Sequence, residues 1–434
     1  MVKLYSLPPV RYAFRGNEVR TDKLRGLQEL GPYLGITKPP RFAFVFPTES
    51  RDHANTLYLA LKNGIGYFKG VENLFRLRLE RSQVVGITGF SLSGKKSARD
   101  RAHTYTEAIL SWSGKNNDRP DIFFVLHPQT ARAEADTPYY ECKALLLQEG
   151  IISQSVTFQL LENRSQLEWA AANIALAAFA KLGGVPWIVA GEEKEQDLII
   201  GLGRAHLYDP RSRQTTRYMA FTACFSARGL FKFMSLAEIA QTRQEYIAML
   251  QEVVRTSLDR AESLGSEIAT LTLHIPKEMG DEEERAVKAA AESYVRRHVL
   301  QVSVVKVTEE QSFFAVDERY PDGVPRRGTV IQVSDRDYML YTEGRDEKEA
   351  FRGRVPTALR VTPQGGALAS KKTLLQVNDL SQVNWRGFNA RSQPISVYYG
   401  NLIAQILSHV APDRVSKLYN DRAKSVLEER MWFL

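Results

Sequence analysis

The sequence predicts a protein of the α/β class with two successive domains, and three observations support this prediction. Between Arg41 and Ala190, short apolar runs alternate with helical patterns. From about Glu192 the order changes, because three strand patterns follow one another before helices return. The chain has 434 residues, of which 44% are hydrophobic and 25% charged, which is enough for two or three domains with sizeable cores.

The first predicted domain, residues 37–190, carries the pattern of a doubly wound parallel sheet. Continuous apolar runs are typical of strands buried on both faces, and strand–helix alternation is typical of a parallel sheet. The strand patterns are Phe42–Phe46, Gln83–Ile87, Asp121–Leu126 and Ser155–Leu161. The helical patterns are His53–Gly64, Ala98–Trp112, Pro138–Glu149 and Trp169–Ala180. Residues 1–36 form a lead-in that we expect to pack on the second domain.

The second predicted domain, residues 191–434, has the element order of a ribonuclease-H-like fold. Its three successive strands are "DLIIGLGRAHLY", "YMAFTACFSARG" and "LFKFM", and α/β units follow them. A long helix is predicted over Ser235–Leu264, with Ser235 and Glu238 as a capping box and Gly265 as the stop signal. Its apolar stripe is predicted to be Tyr246, Ile247, Leu250, Val254 and Leu258.

Composition and charge restrict the kinds of partner, metal site and location that we expect for this protein. The net charge of +8 and the pI of about 9.2 favour an anionic partner, of which nucleic acid is the commonest. The two cysteines, Cys142 and Cys224, have neither the spacing of a zinc site nor that of a disulfide framework. The first residues lack the apolar core of a signal peptide, and the most apolar helix is too short to cross a bilayer. We therefore expect a cytoplasmic protein.

The segment "GITGFSLSGKKSARD", Gly86–Asp100, partly matches a nucleotide-binding P-loop. Gly89, Gly94 and Lys95 fit that motif, but Lys96 stands where it needs the hydroxyl that holds magnesium. We expect a solvated basic turn at this position, and an NTPase is the less favoured alternative.

A second group of residues is better suited to a phosphate. Tyr139 and Lys143 are four residues apart on a predicted helix and therefore share a face. Gln154 is predicted to begin the next strand, at the edge where doubly wound sheets bind ligands. Lys181 ends the following helix, just before two glycines, where a lysine can also serve as an ordinary helix cap. Together, a phenol, an amide and two ammonium groups suit a terminal phosphate monoester.

These residues and the segment "AKLGGVPW", Ala180–Trp187, resemble the junction of the MID and PIWI domains in Argonaute proteins. The resemblance implies a Rossmann-like MID domain at 37–190 that binds a guide strand's 5′-phosphate through Tyr139, Lys143, Gln154 and Lys181. Asn173 then corresponds to a position that touches the first guide base. The segments "RGTVIQVSDRDYMLYTEG" and "VNWRGFNARSQPISVYYGNLIAQIL" are similar to late PIWI segments.

The resemblance also bears on metal ions. The end "MWFL" is similar to family members whose terminal carboxylate, here on Leu434, enters the phosphate pocket through a divalent ion, which we expect to be Mg²⁺. A polar side chain often stands one turn before the pocket lysine in the family, whereas this chain has Ala177. Arg386 and Arg391 are candidates for gripping the guide backbone.

The carboxylates that PIWI nucleases use to hold two metal ions are missing from this chain. Gly203, Pro276 and Asn401 stand at their positions, and none of the three side chains carries a charge. We therefore expect no catalytic residues and no cleavage. The alternative is an active guide-dependent endonuclease with substitute carboxylates, for which Asp197, Glu278 and Asp281 are the candidates.

Full-length Argonautes carry N and PAZ domains before MID, for which 434 residues leave no room. The chain therefore resembles a short prokaryotic Argonaute, one half of an antiviral defence system. The resemblance implies that it binds a guide RNA and a complementary single-stranded DNA target. It also implies a heterodimer with an APAZ-containing protein that carries a TIR, Sir2 or nuclease domain. Binding of the target would activate that domain.

Overall fold

The structure is a computed structural model, and its described residues fall into two compact units. It describes residues 3–95, 97–116, 119–129, 138–191, 197–209, 214–237, 240–263, 268, 270–276, 280–295, 301–345, 355–364, 371–410, 415, 417–418 and 420–434. Unit 1 comprises Met1–Tyr12, Ile188–Asn384 and Asn389–Ala404. Unit 2 comprises Ala13–Trp187, Trp385–Phe388 and Gln405–Leu434.

The described residues form strands and helices with the following bounds. The strands are β1 Lys3–Ser6, β2 Tyr12–Ala13, β3 Val19–Arg20, β4 Phe42–Val45, β5 Val84–Ile87, β6 Ile122–His127, β7 Ile152–Thr157, β8 Ile188–Val189, β9 Asp197–Asp209, β10 Gln214–Ser226, β11 Phe231–Leu236, β12 Thr270–Ile275, β13 Gln301–Glu310, β14 Thr329–Gln332, β15 Tyr338–Tyr341 and β16 Ala358–Pro363. The helices are α1 Lys23–Leu30, α2 Arg51–Asn63, α3 Val71–Phe75, α4 Ala98–Lys115, α5 Pro138–Gln148, α6 Phe158–Glu162, α7 Arg164–Lys181, α8 Arg243–Ser263, α9 Asp281–Val295, α10 Lys371–Gln382, α11 Ile395–His409 and α12 Asp421–Glu429.

Unit 2 contains a four-stranded sheet with the strand order β5-β4-β6-β7, in which every neighbouring pair is parallel. The parallel sheet predicted from the apolar runs is therefore confirmed. One run was assigned wrongly, because β7 ends at Thr157 and Phe158–Glu162 is a helix. A short apolar run of this length fits a strand and a buried helical turn equally well.

Unit 1 contains a nine-stranded sheet with the order β1-β14-β15-β16-β13-β12-β9-β10-β11. The three successive strands predicted from the sequence are confirmed as the antiparallel set β9, β10 and β11. β12 then joins β9 in parallel, and β13 joins β12 in parallel. A cluster of buried side chains from α8 and α9 packs against these strands, among them Leu250, Leu258 and Tyr294.

The predicted start of the long helix was wrong. Ser235 lies in β11, and α8 begins at Arg243. The capping box is formed by Thr242, whose Oγ1 accepts from the Glu245 N–H, and by Glu245, whose Oε2 accepts from the Thr242 N–H. Thr242 and Glu245 have the same T-x-x-E spacing, so two equivalent start signals stand seven residues apart. Gly265 and Glu238 lie outside the described residues.

Tyr246, Leu250, Val254 and Leu258 are buried as the stripe predicted, and Ile247 is partly buried against the same cluster. Among the described residues, no helix is both long enough and apolar enough to cross a membrane. The last residues of the chain, Gln405–Leu434, pack within unit 2, whereas the sequence analysis assigned them to the second domain. The two units are defined by contacts between residues, whereas the predicted domains follow the order of elements along the chain. The predicted domain boundaries therefore stay predictions.

Candidate nucleic-acid interface

Three elements of unit 2 bring the predicted phosphate ligands together. α5 carries Tyr139 and Lys143, the edge strand β7 carries Gln154, and α7 ends on Lys181. Gln154 is the third residue of its strand rather than the first, so that part of the prediction was wrong. We call these four side chains the phosphate cup.

The cup is held by contacts between its own members. Lys181 Nζ donates to Gln154 Oε1 at 2.7 Å and to the Ser153 carbonyl at 2.8 Å. Lys143 Nζ lies 5.6 Å from the centre of the Tyr139 ring, within the range of a cation–π interaction. Lys143 is 3% exposed and Lys181 is 1% exposed, so both ammonium groups have lost almost all of their water.

Burial and neighbouring positive charges shift the pKa values of the two lysines in the phosphate cup. Burial, together with a smaller effect of the nearby Arg386 guanidinium, lowers the pKa of Lys143 to about 7. Burial also lowers the pKa of Lys181 well below its usual value, with Lys143 and Arg386 adding to the effect. Burial raises the pKa of Tyr139 to about 12. Every described charge that shifts the two lysines is another cation, so an anion that entered the cup would relieve desolvation and repulsion together.

Arg386 therefore belongs to the surroundings of the cup, although the sequence analysis proposed it for the guide backbone. It lies in the Trp385–Phe388 segment of unit 2, close enough to lower the pKa of both lysines. Arg391, the other predicted backbone residue, lies in unit 1. There its exposed guanidinium is 5.0 Å from the centre of the Tyr398 ring.

The motif "KLGG" is explained by the way α7 ends. Gly183 has a φ of +93°, a left-handed conformation that favours glycine, and its N–H donates to the Ala180 carbonyl. A side chain at Gly184 would overlap the Phe179 ring. The Gly184 N–H donates to the Phe179 carbonyl, which completes the turn that fixes Lys181 at the end of the helix.

Asn173 lies on α7 two turns before Lys181. Its Oδ1 accepts from the Phe388 N–H at 3.3 Å, and its Nδ2 donates to the Trp169 carbonyl at 3.4 Å. Leu434 is 5% exposed, and its N–H donates to the Met431 carbonyl. Ala177 is buried between Asn173 and Lys181 and contributes no polar group.

A carboxylate already bonds to the P-loop-like segment. Glu49 Oε1 accepts from the Leu92 N–H at 2.8 Å and from Ser91 Oγ at 3.1 Å. At least one backbone donor of the segment is therefore engaged by the protein itself. Lys95 is exposed in the following turn, which fits the predicted solvated basic loop.

The three positions that the resemblance assigned to missing nuclease carboxylates, Gly203, Pro276 and Asn401, all lie in unit 1. Gly203 pairs with Phe221 across β9 and β10, and Pro276 directly follows β12, the strand that pairs in parallel with β9. A Cβ on Gly400 would lie 3.7 Å from the Gly203 Cα, so the first turns of α11 face the same point. Asn401 follows there, exposed, with its Nδ2 donating to Gln393 Oε1 at 3.0 Å. A side chain at 203 would overlap the buried Phe221 ring, which fills the space that a catalytic carboxylate needs.

The candidate substitute carboxylates do not converge on that point. Asp197 lies six residues before Gly203 on the same strand, about 20 Å away, and its carboxylate bonds with Lys372 and Thr270. Asp281 is exposed in the first turn of α9, and Glu278 lies outside the described residues. Within the described part of the chain, no group of three or more His, Cys, Asp or Glu side chains could hold a metal ion.

Three features of these sites were missed by sequence reasoning. They are the Phe221 ring at Gly203, the Glu49 carboxylate at Leu92 and the Ser153 carbonyl at Lys181. The sequence does not show any of these three contacts.

Residues 122–411 match the Piwi domain family. The Argonaute protein of Cereibacter sphaeroides is 23% identical over 455 residues, which cover 93% of this chain and 56% of that protein. A Piwi protein of Archaeoglobus fulgidus is 25% identical over 324 residues, which cover 69% of this chain and 73% of that protein. The chain thus spans little more than half the length of the Cereibacter protein.

Solved Argonaute structures share the fold. Clostridium butyricum Argonaute, bound to a guide DNA and a 19-mer target DNA, superposes with a TM-score of 0.68 and 15% identity over 94% of this chain and 53% of that one. Drosophila Piwi superposes with a TM-score of 0.71 and 15% identity over 99% of this chain and 56% of that one. At such identities the likeness shows the fold.

Proposed function

The chain belongs to the Piwi domain family, and we propose that it binds the 5′-phosphate of a guide strand in the phosphate cup of unit 2. The observation that carries this proposal is a pair of buried ammonium groups whose described charged neighbours are cations. Buried charges are normally paired, since an unpaired one costs several kcal/mol. A terminal phosphate carries about two negative charges and would pair with both lysines.

Each member of the cup has a role in this binding. Lys143 and Lys181 supply charge-assisted hydrogen bonds to the phosphate oxygens, and Arg386 adds a third positive charge. Gln154 Oε1 accepts from Lys181 and so holds that ammonium in place. The Tyr139 hydroxyl keeps its proton at neutral pH, because burial raises its pKa, and it can therefore donate to a phosphate oxygen. By the family resemblance, Asn173 would contact the first base of the guide.

We propose that a magnesium ion binds at this site only together with the guide's 5′-phosphate. The described side chains of the cup are cations and hydrogen-bond donors, apart from Gln154 Oε1, which Lys181 already occupies. Mg²⁺ prefers oxygen ligands, and the family resemblance implies that the Leu434 carboxylate would be its protein ligand. If the lysines alone neutralise the phosphate, chelation with EDTA leaves guide binding largely intact.

The experiment is to purify the chain from cells and sequence the nucleic acid that it retains. We expect short strands with a 5′-phosphate, and we expect Tyr139→Ala and Lys143→Ala to lose them. Lys115→Ala, which changes an exposed lysine at the end of α4, is the matched control and should keep them. Full loading of both cup variants would contradict the assignment of the cup.

We propose further that the chain does not cleave its target. The support is the uncharged set Gly203, Pro276 and Asn401, together with the Phe221 ring packed over Gly203. Incubating the loaded protein with a guide-matched strand and Mg²⁺ or Mn²⁺ tests this. A cut at a fixed distance from the guide's 5′ end would establish the endonuclease alternative instead.

By analogy with the family, we propose a short prokaryotic Argonaute that works in the cytoplasm as one subunit of a defence heterodimer. Its guide would be RNA and its target single-stranded DNA, and its partner an APAZ-containing protein with a TIR, Sir2 or nuclease domain. Among the neighbours, the Clostridium protein was solved with a DNA guide, so guide chemistry is a separate question. Sequencing the retained strands with and without RNase treatment answers it.

A further inference from the structure

Arg386 lies in a short segment, Trp385–Phe388, that is anchored on both sides of it. Before Arg386, the buried Trp385 side chain donates its indole N–H to the Trp187 carbonyl at 3.1 Å. After Arg386, the Phe388 ring packs against the Trp187 ring with 5.6 Å between the ring centres. The exposed Arg386 therefore lies between two aromatic residues that are both fixed to Trp187.

The backbone of Phe388 is also bonded by two side chains from distant parts of unit 2. Its N–H donates to Asn173 Oδ1 at 3.3 Å, and its carbonyl accepts from Lys23 Nζ at 3.1 Å. Asn173 lies on α7, and Lys23 is the first residue of α1, in the lead-in of the chain. We call Lys23 and Asn173 the Phe388 clamp.

Both side chains of the clamp fit the segment closely. Lys23 is 8% exposed, and its ammonium lies over the Trp187 ring, 5.7 Å from the ring centre. Lysine is seldom buried without a partner, because its ammonium loses its water. On the other side, a Cβ at Gly387 would lie only 3.2 Å from Asn173 Oδ1, so the glycine allows the close approach. The clamp therefore fits the segment in the position that it takes here.

The position of this segment matters for the phosphate cup through Arg386. The Arg386 guanidinium is close enough to lower the pKa of both Lys143 and Lys181. In the proposed complex, the same guanidinium supplies a positive charge to the phosphate. The interaction between two charges weakens with distance, so a displaced segment would weaken this contribution.

We propose that Lys23 and Asn173 are positioning residues of the phosphate cup, because they hold Phe388 from both sides and so keep Arg386 beside the bound phosphate. Neither side chain needs to touch the phosphate itself. This inference rests on the proposed binding of a 5′-phosphate, and it adds a contribution from α1, a helix that carries no residue of the cup.

The test measures how strongly the protein prefers a strand with a 5′-phosphate over the same strand with a 5′-hydroxyl, by fluorescence anisotropy. Both strands carry the same first base, so any contact between Asn173 and that base cancels from the ratio. Lys23→Met should lower the preference about fivefold, as is typical of residues that act without touching a ligand. Arg25→Met is the matched control, because it removes a positive charge from the exposed face of the same helix, and it should leave the preference unchanged.

A double-mutant cycle with Arg386 separates positioning from a general weakening of the fold. Arg386→Gln alone should lower the preference about tenfold, as expected for the loss of a charged hydrogen-bond partner. Adding Lys23→Met to Arg386→Gln should lower it no further, because the clamp acts through Arg386. A second fivefold loss in the double variant would overturn the inference.

The pH profile of the preference gives an independent readout. The wild-type preference should fall as pH rises above about 7, because Lys143 loses its proton. Lys23→Met and Arg386→Gln should both move this fall to higher pH, because the guanidinium then no longer lowers the pKa of Lys143. A profile that does not move in Lys23→Met would count against the clamp.

Asn173→Ala removes the other side of the clamp and should give the same fivefold loss, so the inference can be tested even if Lys23→Met does not fold. A full preference in either variant, beside a wild type that prefers the phosphorylated strand, would overturn the inference alone. A wild type without any preference would refute the proposed function itself.

Discussion

Replacing Lys143 by methionine should abolish most of the preference for a 5′-phosphorylated strand. Methionine keeps most of the length and the apolar stem of the buried side chain and removes the ammonium group, with its charge and its hydrogen-bond donors. Two unit charges about 4 Å apart interact by about 4 kcal/mol at an effective dielectric of about 20. Hydrogen bonds to charged groups contribute about 1.5–3 kcal/mol net.

Part of that energy is spent on protonating the lysine. With the pKa of Lys143 at about 7 in the free protein, charging it at pH 7.5 costs about 1 kcal/mol. A net loss of about 2–3 kcal/mol remains, which is a 30- to 150-fold weaker binding of the phosphorylated strand. A strand with a 5′-hydroxyl should bind the variant and the wild type almost equally.

The assay is fluorescence anisotropy with two strands that differ only in the 5′-phosphate, measured from pH 7 to pH 9. The wild-type preference should fall as pH rises through this range, because binding needs a protonated Lys143 and the free protein loses that proton above about pH 7. Lys143→Met should show a weaker dependence, and Lys115→Met should behave as the wild type. A Lys143→Met protein that keeps the full preference would refute the reasoning.

Three further predictions concern stability. The folded-state pKa of Lys143, about 7, lies below its unfolded value of about 10.4, so the free energy of unfolding should rise with pH between those values. Urea unfolding at pH 7 and pH 9.5 measures this rise in the wild type and in Lys143→Met, in which it should be smaller. A free energy of unfolding that falls between these pH values in the wild type would contradict the prediction. Gly203→Asp should destabilise unit 1 by about 1–3 kcal/mol because the new side chain meets the Phe221 ring, and an unchanged melting temperature would show that the ring can move aside. Thr242→Ala should cost about 1 kcal/mol by removing the N-cap at the start of α8, which thermal unfolding detects, and no loss would mean that the N-cap does not contribute.

The elements that were predicted correctly carry strong local signals. The buried strands β4 and β6 are indicated by unbroken apolar runs, and α7 is indicated by its long apolar stretch and the glycines that follow it. The errors arose where two local signals competed. The run at Phe158 fits either a strand or a helix, and the α8 cap had two equivalent S/T-x-x-E patterns to choose from.

Some residues of the candidate site could also be predicted from the sequence, and others could not. Lys143 and Lys181 could be found because their spacing and flanking glycines are visible in the chain, and the structure brings them together with Gln154. The contacts of Phe221 and Glu49 could not be found. Phe221 covers Gly203 through strand register, although the two are eighteen positions apart in the sequence. Glu49 contacts Leu92 in a loop that is forty-three positions away. The proximity of Arg386 depends on the same long-range packing.

The most direct test is the equilibrium affinity of the wild-type protein, at one salt concentration and pH 7, for two otherwise identical strands with and without a 5′-phosphate. The two buried lysines predict that the phosphorylated strand binds at least tenfold more tightly. Equal affinities would contradict the account, because they would mean that the cup does not receive the phosphate.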